Sequence, residues 1–335
     1  MTLERNGGIM NKRENYLAYL NHEQVDWIPT FAMDQYIVGS QLEYWENGPI
    51  AGGSDGFGNV WIPTESANSQ PALDPNIIPL DDVCDWEDKV TFPDLDAIDW
   101  EEFAAQQLAG KDRNERVIEY HTWNSVFLRL AHLLGFEEAL CSFFEEPEAT
   151  KALCMAIADY KVGILERAAK YLKPDAYVHY DDVAAAKSLF MSPEVYREFI
   201  KPAHTRMNDA AKALGMIPII HICGYCEDIL PDVIEEGSVC WQSAQPMNDI
   251  DRIIRELGDD LAVMGGYDTQ GPAGQETATD GMAIAEVHRC MDEYGKYGRC
   301  FGLQGYRLPN MRDMVILEES VRYGRERIER LRAGE

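Results

Sequence analysis

The chain has 335 residues, 46% of them hydrophobic, enough to bury one large barrel domain or two ordinary domains. Its 30 basic and 58 acidic side chains leave a formal charge of −28. That excludes nucleic-acid binders, which need clustered Lys and Arg to meet phosphates, and argues equally against anionic membrane surfaces. No apolar run reaches a membrane-spanning length and the N-terminus lacks a signal-peptide core, so a cytoplasmic protein with eight reduced cysteines is expected.

Residues 1–9 read as a disordered leader and 11–21 as mixed helical character. The stretch 26–33 reads as the first strand, with Pro29 near its start, where a missing donor is tolerated. From 34 to 112 periodicity is weak and Gly, Pro, Asp and aromatics abound. The expectation there is an insertion lying as a lid over the barrel mouth, with a turn and a short strand at 54–61. A second strand is expected at 116–121. A helix follows from about 125 with Phe127, Leu130, Leu133 and Leu134 on one face, then a longer one from Pro147. The apolar positions of the latter, Leu153, Ile157, Tyr160, Ile164, Ala168 and Tyr171, step by three and four.

The third strand, 175–182, ends in two carboxylates, Asp181 and Asp182. Ser192-Pro193-Glu194 supplies a cap, a first-turn proline and a favourable charge to a helix running to Leu214, with Gly215 beyond it. A β-branched run then enters His221-Ile222-Cys223-Gly224-Tyr225-Cys226. Further strands are expected at 238–243, 261–268 and 298–303, separated by a helix capped by Asn248 and another through Met291; a last helix spans 310–331. Strands alternating with helices at this rhythm predict an α/β fold, a closed (β/α)8 TIM barrel over residues 10–335. No Gly-x-Gly-x-x-Gly and no phosphate loop is present, against nucleotide binding.

His221 and Cys223, at i and i+2, point to one side of an extended backbone. They converge at the strand's C-terminal mouth, where α/β folds bind ligands. With Cys300, from the 298–303 run, they make a three-ligand set with an open fourth position, the pattern of catalytic zinc. A redox pair of Cys223 and Cys226 is the second reading, and it leaves His221 and Cys300 unexplained. Other strands also end in polar residues: His121, Tyr180, Gln242, Tyr267, Asp268 and Gln304. Asp181 and Asp182 cannot both face the pocket, because neighbours on a strand alternate. One serves the pocket; the other caps a helix or pairs with a cation. The candidates for supplying a proton or orienting substrate are Asp181, Asp182, Tyr267 and Asp268. Substrate contacts are expected from Trp61, His121, Trp123, Tyr180, Gln242 and Gln304. Trp61, Trp123 and Tyr225 are candidates for an aromatic wall, set against the commoner fate of core packing.

Tyr180-Asp181-Asp182, the Ser192-Pro193-Glu194 helix ending at Leu214-Gly215-Met216, His221-Ile222-Cys223-Gly224, Trp241-Gln242, Gly265-Gly266-Tyr267-Asp268-Thr269 and Cys300 follow in a familiar order. From about residue 10 onward the chain resembles the uroporphyrinogen decarboxylase superfamily and, within it, the cobamide-dependent methyltransferase branch. The resemblance implies a (β/α)8 barrel with its pocket at the C-terminal mouth and Zn2+ held by His221, Cys223 and Cys300. It also implies a cobamide carried by a separate corrinoid protein, since no Asp-x-His-x-x-Gly motif is present. An O-demethylase-like enzyme acting on a methoxylated aromatic or similar small methylated compound is the favoured reading. The alternatives are a methylcobamide:thiol methyltransferase, a metal-free decarboxylase or lyase, and a non-catalytic corrinoid-binding scaffold; a homo-oligomer is compatible with each. Porphyrinogen decarboxylases of the superfamily carry arginines after the first strand. Here that place reads Phe31-Ala32-Met33-Asp34-Gln35-Tyr36, without a cation for a polycarboxylate.

Overall fold

A computed structural model describes residues 9–39, 48, 51–64 and 71–334. The expected leader, apart from Ile9, lies outside them. The chain forms two compact units: Met1–Tyr36 with Lys111–Ile118 and Asp249–Glu335, and Ile37–Gly110 with Glu119–Asn248.

The larger unit takes the C-terminal parts of β1 (Gln35–Val38) and β5 (Val117–Thr122), neighbours in the main sheet, and the short antiparallel sheet of β2 (Gly53–Ser54), β3 (Val60–Ile62) and β4 (Ala72–Leu73). The strands β5, β6 (Ala176–Tyr180), β7 (Ile217–His221) and β8 (Cys240–Ala244) follow in sequential order and run parallel. β5 and β6 are buried along their whole length, as strands covered on both faces must be. The register sets Tyr180 beside His221, and His221 beside Gln242. One row across three strands thus carries three of the expected mouth residues.

The crossovers include α1 (Val126–Leu134), α2 (Pro147–Tyr171) and α3 (Lys201–Ala213). Pro147 opens α2 in the first turn, where its missing N–H costs nothing. The stripe Leu153, Ile157, Ile164 and Ala168 is fully buried, and each large aliphatic among them contributes roughly 1.5–3 kcal/mol. One π-helical turn, Tyr196–Ile200, leads into α3; the apolar spacing of 192–214 shows no sign of it. The 37–110 stretch has elements of its own besides β2–β4, among them the helix Trp100–Leu108.

In the smaller unit, β9 (Ala262–Gly266) and β10 (Phe301–Gln304) pair in parallel, and Thr30 bridges to Leu303. The expected first strand at 26–33 is reduced to that bridge. Pro29 has no N–H to give, and the chain turns over 31–33 with Ala32 at φ +63°. The Asp34 carboxylate holds the turn, accepting the Thr30 N–H at 2.7 Å and the Trp27 indole N–H at 3.1 Å. The extended run resumes only at Gln35. The helices here are α4 (Ile250–Leu257), α5 (Asp280–Glu293) and α6 (Met314–Ala333). Asp249, not Asn248, caps α4. Seven of the ten strands among the described residues belong to the main sheet and alternate with helices, the α/β TIM-barrel architecture that the sequence predicts.

Candidate metal centre at the end of β7

β7 ends at His221, and a turn follows at once. Gly224 stands at φ +90°, and a Cβ there would lie 2.6 Å from the Ala185 carbonyl oxygen. Only glycine fits that approach. Each amide of the turn has a partner: Asp182 Oδ1 accepts from Cys223 N–H at 2.7 Å, and Gln245 Oε1 from Gly224 N–H at 2.8 Å. Asn248 Oδ1 accepts from Cys226 N–H at 3.0 Å, while its Nδ2 donates to the Gly224 carbonyl. The result is a fixed loop in which His221 Nε2 lies 3.4 Å from Cys223 Sγ.

One nitrogen, sulfur or oxygen atom from each of Asp182, His221 and Cys223 lies within 4.8 Å of the others. Tetrahedral zinc with ordinary bond lengths separates its N, O and S ligands by about 3.4–3.6 Å. The His221–Cys223 pair already has that spacing and fits a zinc ion, with an Asp182 oxygen within 4.8 Å of both. His221 Nδ1 makes no close hydrogen bond, and the wholly buried Gln242 amide beside it acts on the ring as a hydrogen-bonding neighbour. Burial pushes the His221 imidazole down to about 3, so it is neutral and keeps a lone pair for a metal. Burial lifts the Asp182 carboxyl to about 6, helped by Asp181 and opposed by the Cys223 N–H. The Cys223 thiol is pushed up by burial and by the Asp182 charge; a bound cation reverses that balance.

Aromatic rings wall the cluster. Tyr180 stacks on His221 at 4.1 Å between centroids, and Trp123 stacks on Tyr180 at 4.4 Å. His121 Nδ1 lies 2.8 Å from the Tyr180 hydroxyl and its Nε2 lies 3.0 Å from Glu119 Oε2. In the tautomer that carries its proton on Nε2, Nδ1 accepts from the hydroxyl. The Tyr180 oxygen then presents lone pairs to its surroundings.

Several candidates are engaged in contacts of their own. Asp181 turns away from Asp182: Oδ2 accepts from Phe127 N–H at 3.0 Å and Oδ1 from Leu128 N–H at 2.9 Å, capping α1, and His204 Nε2 lies 2.7 Å from Oδ2. Trp61 donates to Asp55 at 3.1 Å and meets His132 edge to face, inside a cluster with the buried Arg129. Tyr267 donates to the Ala273 carbonyl at 2.9 Å, and Asp268 closes its own turn by accepting from Gly271 N–H at 2.8 Å. Gln304 ends β10, with a buried Oε1 that lacks a partner. Cys300 is the main departure. It precedes β10, at the strand's N-terminal end, and its thiol donates to the Gly258 carbonyl at 2.6 Å. A ligand at a parallel strand's mouth must stand at the C-terminal end, so this position does not suit the ligand role expected for Cys300.

Glu119 and Gln245 escaped sequence reasoning, and Asn248 was read only as a helix cap. Glu119 lies two residues before His121, on the same strand face, and that spacing was a readable signal. Gln245 and Asn248 act through a loop whose partners lie about twenty residues away, so no local pattern marks them.

A family model described as uroporphyrinogen decarboxylase (URO-D) matches residues 68–302. A methylated-thiol–coenzyme M methyltransferase of Methanosarcina mazei is 29% identical over 143 residues, a match spanning 42% of this chain and 36% of that protein. A solved methyltransferase structure, also from Methanosarcina mazei, aligns over 96% of this chain and 99% of its own, with TM-score 0.69 and 14% identity; at that identity it shows a common fold. With the family model matching most of its length, the chain belongs to the uroporphyrinogen decarboxylase family.

Proposed function

We propose that this chain is a zinc-dependent methyltransferase, moving a methyl group from a small methylated compound to a cobamide carried as co-substrate by a separate corrinoid protein. The observation that carries the reading is the His221–Cys223 pair, held at metal-ligand spacing at the end of β7 beneath the Tyr180–Trp123 stack. The similarity to a Methanosarcina mazei methyltransferase supports the same chemistry. Zinc bound there would supply Lewis acidity to the atom that gives up the methyl group.

The chain's own residues do the rest. Trp123, the outer ring of the His221–Tyr180–Trp123 stack, offers an aromatic face for a planar donor, which favours a methoxylated aromatic compound. Glu119 and His121 keep the Tyr180 hydroxyl proton turned away, so that its oxygen accepts a hydrogen bond. In the balanced reaction the methyl C–O bond breaks, the methyl group passes to reduced cobamide, and the departing oxygen takes a proton. A second reading, transfer involving a thiol, draws on the name of the Methanosarcina mazei relative. Decarboxylation of a polycarboxylate is disfavoured, since the row of Tyr180, His221 and Gln242 carries no cation.

The test is methyl transfer from methoxylated aromatics and from methylated thiols to cob(I)alamin, followed by absorbance, with zinc content measured on the same protein. Transfer that disappears with zinc removal and returns on add-back is expected. Zinc-independent decarboxylation without methyl transfer would overturn the reading.

A further inference from the structure

We infer that the third protein ligand of this centre is the Asp182 carboxylate, giving an N/S/O set with a single thiolate, and that this set favours oxygen-bound over sulfur-bound methyl groups. The inference rests on the methyltransferase reading above and goes further by naming the donor set and the leaving atom it selects. Asp182 is the carboxylate that the alternation after β6 turns toward β7, while Asp181 is spent on α1 and His204. Its Oδ1 receives the Cys223 N–H at 2.7 Å, which places the carboxylate against the Cys223 backbone. Asp182 completes the three-donor cluster with His221 and Cys223. The outer partners suit a metal as well: the wholly buried Gln242 amide stands next in register to His221 and is a hydrogen-bonding neighbour of its ring. An oriented amide at that place is what a ligating imidazole needs on its second nitrogen.

Cys300, in contrast, is already engaged. Its thiol donates to Gly258 O at the N-terminal end of β10. Exchanging a thiolate for a carboxylate leaves the formal charge of the site unchanged but removes a soft, strongly donating ligand. The metal becomes a harder Lewis acid, better matched to an ether oxygen than to a thioether sulfur.

Cobalt-substituted protein tests this without reference to turnover, because each thiolate bound to Co2+ adds charge-transfer absorption. Wild type and Cys300→Ser are expected to bind one metal with the same absorption, and Asp182→Asn to lose metal affinity by roughly 100-fold or more. Asp182→Cys, which controls for folding, is expected to restore binding with about twice the thiolate absorption, since the band counts thiolates. In turnover, its preference for methoxy over methylthio donors is expected to fall roughly tenfold. Loss of metal or of half the absorption in Cys300→Ser would overturn the inference, and so would unchanged affinity in Asp182→Asn. A wild type that binds no metal would instead sink the methyltransferase reading on which the inference stands.

Discussion

The buried imidazole of His204 makes a prediction that the structure sizes. His204 Nε2 lies 2.7 Å from Asp181 Oδ2 and its Nδ1 lies 3.4 Å from Glu236 Oε1, with both side chains of each pair out of solvent. The Tyr196 hydroxyl lies 3.2 Å from Nδ1, and the His179 ring packs edge-on at 4.7 Å. Burial works against the imidazolium, but the charges of Glu236 and Asp181 outweigh it and hold the group at about 9, against an ordinary 6.5. A pKa raised by folding stabilises the folded state fully below the unfolded value, and that gain drains away as pH climbs through the folded value. The window is therefore about pH 6.5 to 9, and at 1.36 kcal/mol per pH unit the contribution is on the order of 3 kcal/mol. Urea unfolding of wild type and His204→Gln across that window isolates it. Wild type is expected to lose about 3 kcal/mol more than the variant between the two ends. Parallel stability profiles would show that His204 is neutral in the fold and that the two carboxylates do not hold its proton.

Three further outcomes follow from particular contacts. Arg129 and Asp55 form a wholly buried ion pair at 3.2 Å, so Arg129→Met alone is expected to cost roughly 3–5 kcal/mol in urea unfolding; a cost near zero would mean that water reaches the pair. Gly224→Ala forces a Cβ toward the Ala185 carbonyl at a left-handed φ of +90°. It is expected to cost on the order of 1–3 kcal/mol and to weaken zinc binding by displacing Cys223, as metal titration would read. Trp123→Leu removes the ring stacked on Tyr180. The Michaelis constant for an aromatic donor should rise about fivefold with kcat held, since an aromatic stack is worth on the order of 1 kcal/mol; a fall in kcat alone would place Trp123 in the chemistry instead.

The legible parts of this chain were those set by local periodicity. The stripe Leu153, Ile157, Ile164 and Ala168 repeats at helical spacing, and α2 forms where that repeat and Pro147 predict. His221 and Cys223 share a side of the chain because residues two apart on a strand do so. Alternation also separates Asp181 from Asp182, but it cannot tell which faces the pocket. That depends on α1, whose first-turn N–H groups of Phe127 and Leu128 claim Asp181 from more than fifty residues away. Cys300 shows how far one boundary reaches. The apolar run 298–303 reads as a strand containing the cysteine, yet Gly298 stands at φ +67° and Cys300 at φ +62°, both left-handed, and extended backbone begins only at Phe301. At about 3.3 Å per residue, those few residues separate the foot of β10 from its mouth. The thiol is left with the Gly258 carbonyl. Asp182, first marked for proton transfer, is the carboxylate that groups with the His221–Cys223 pair.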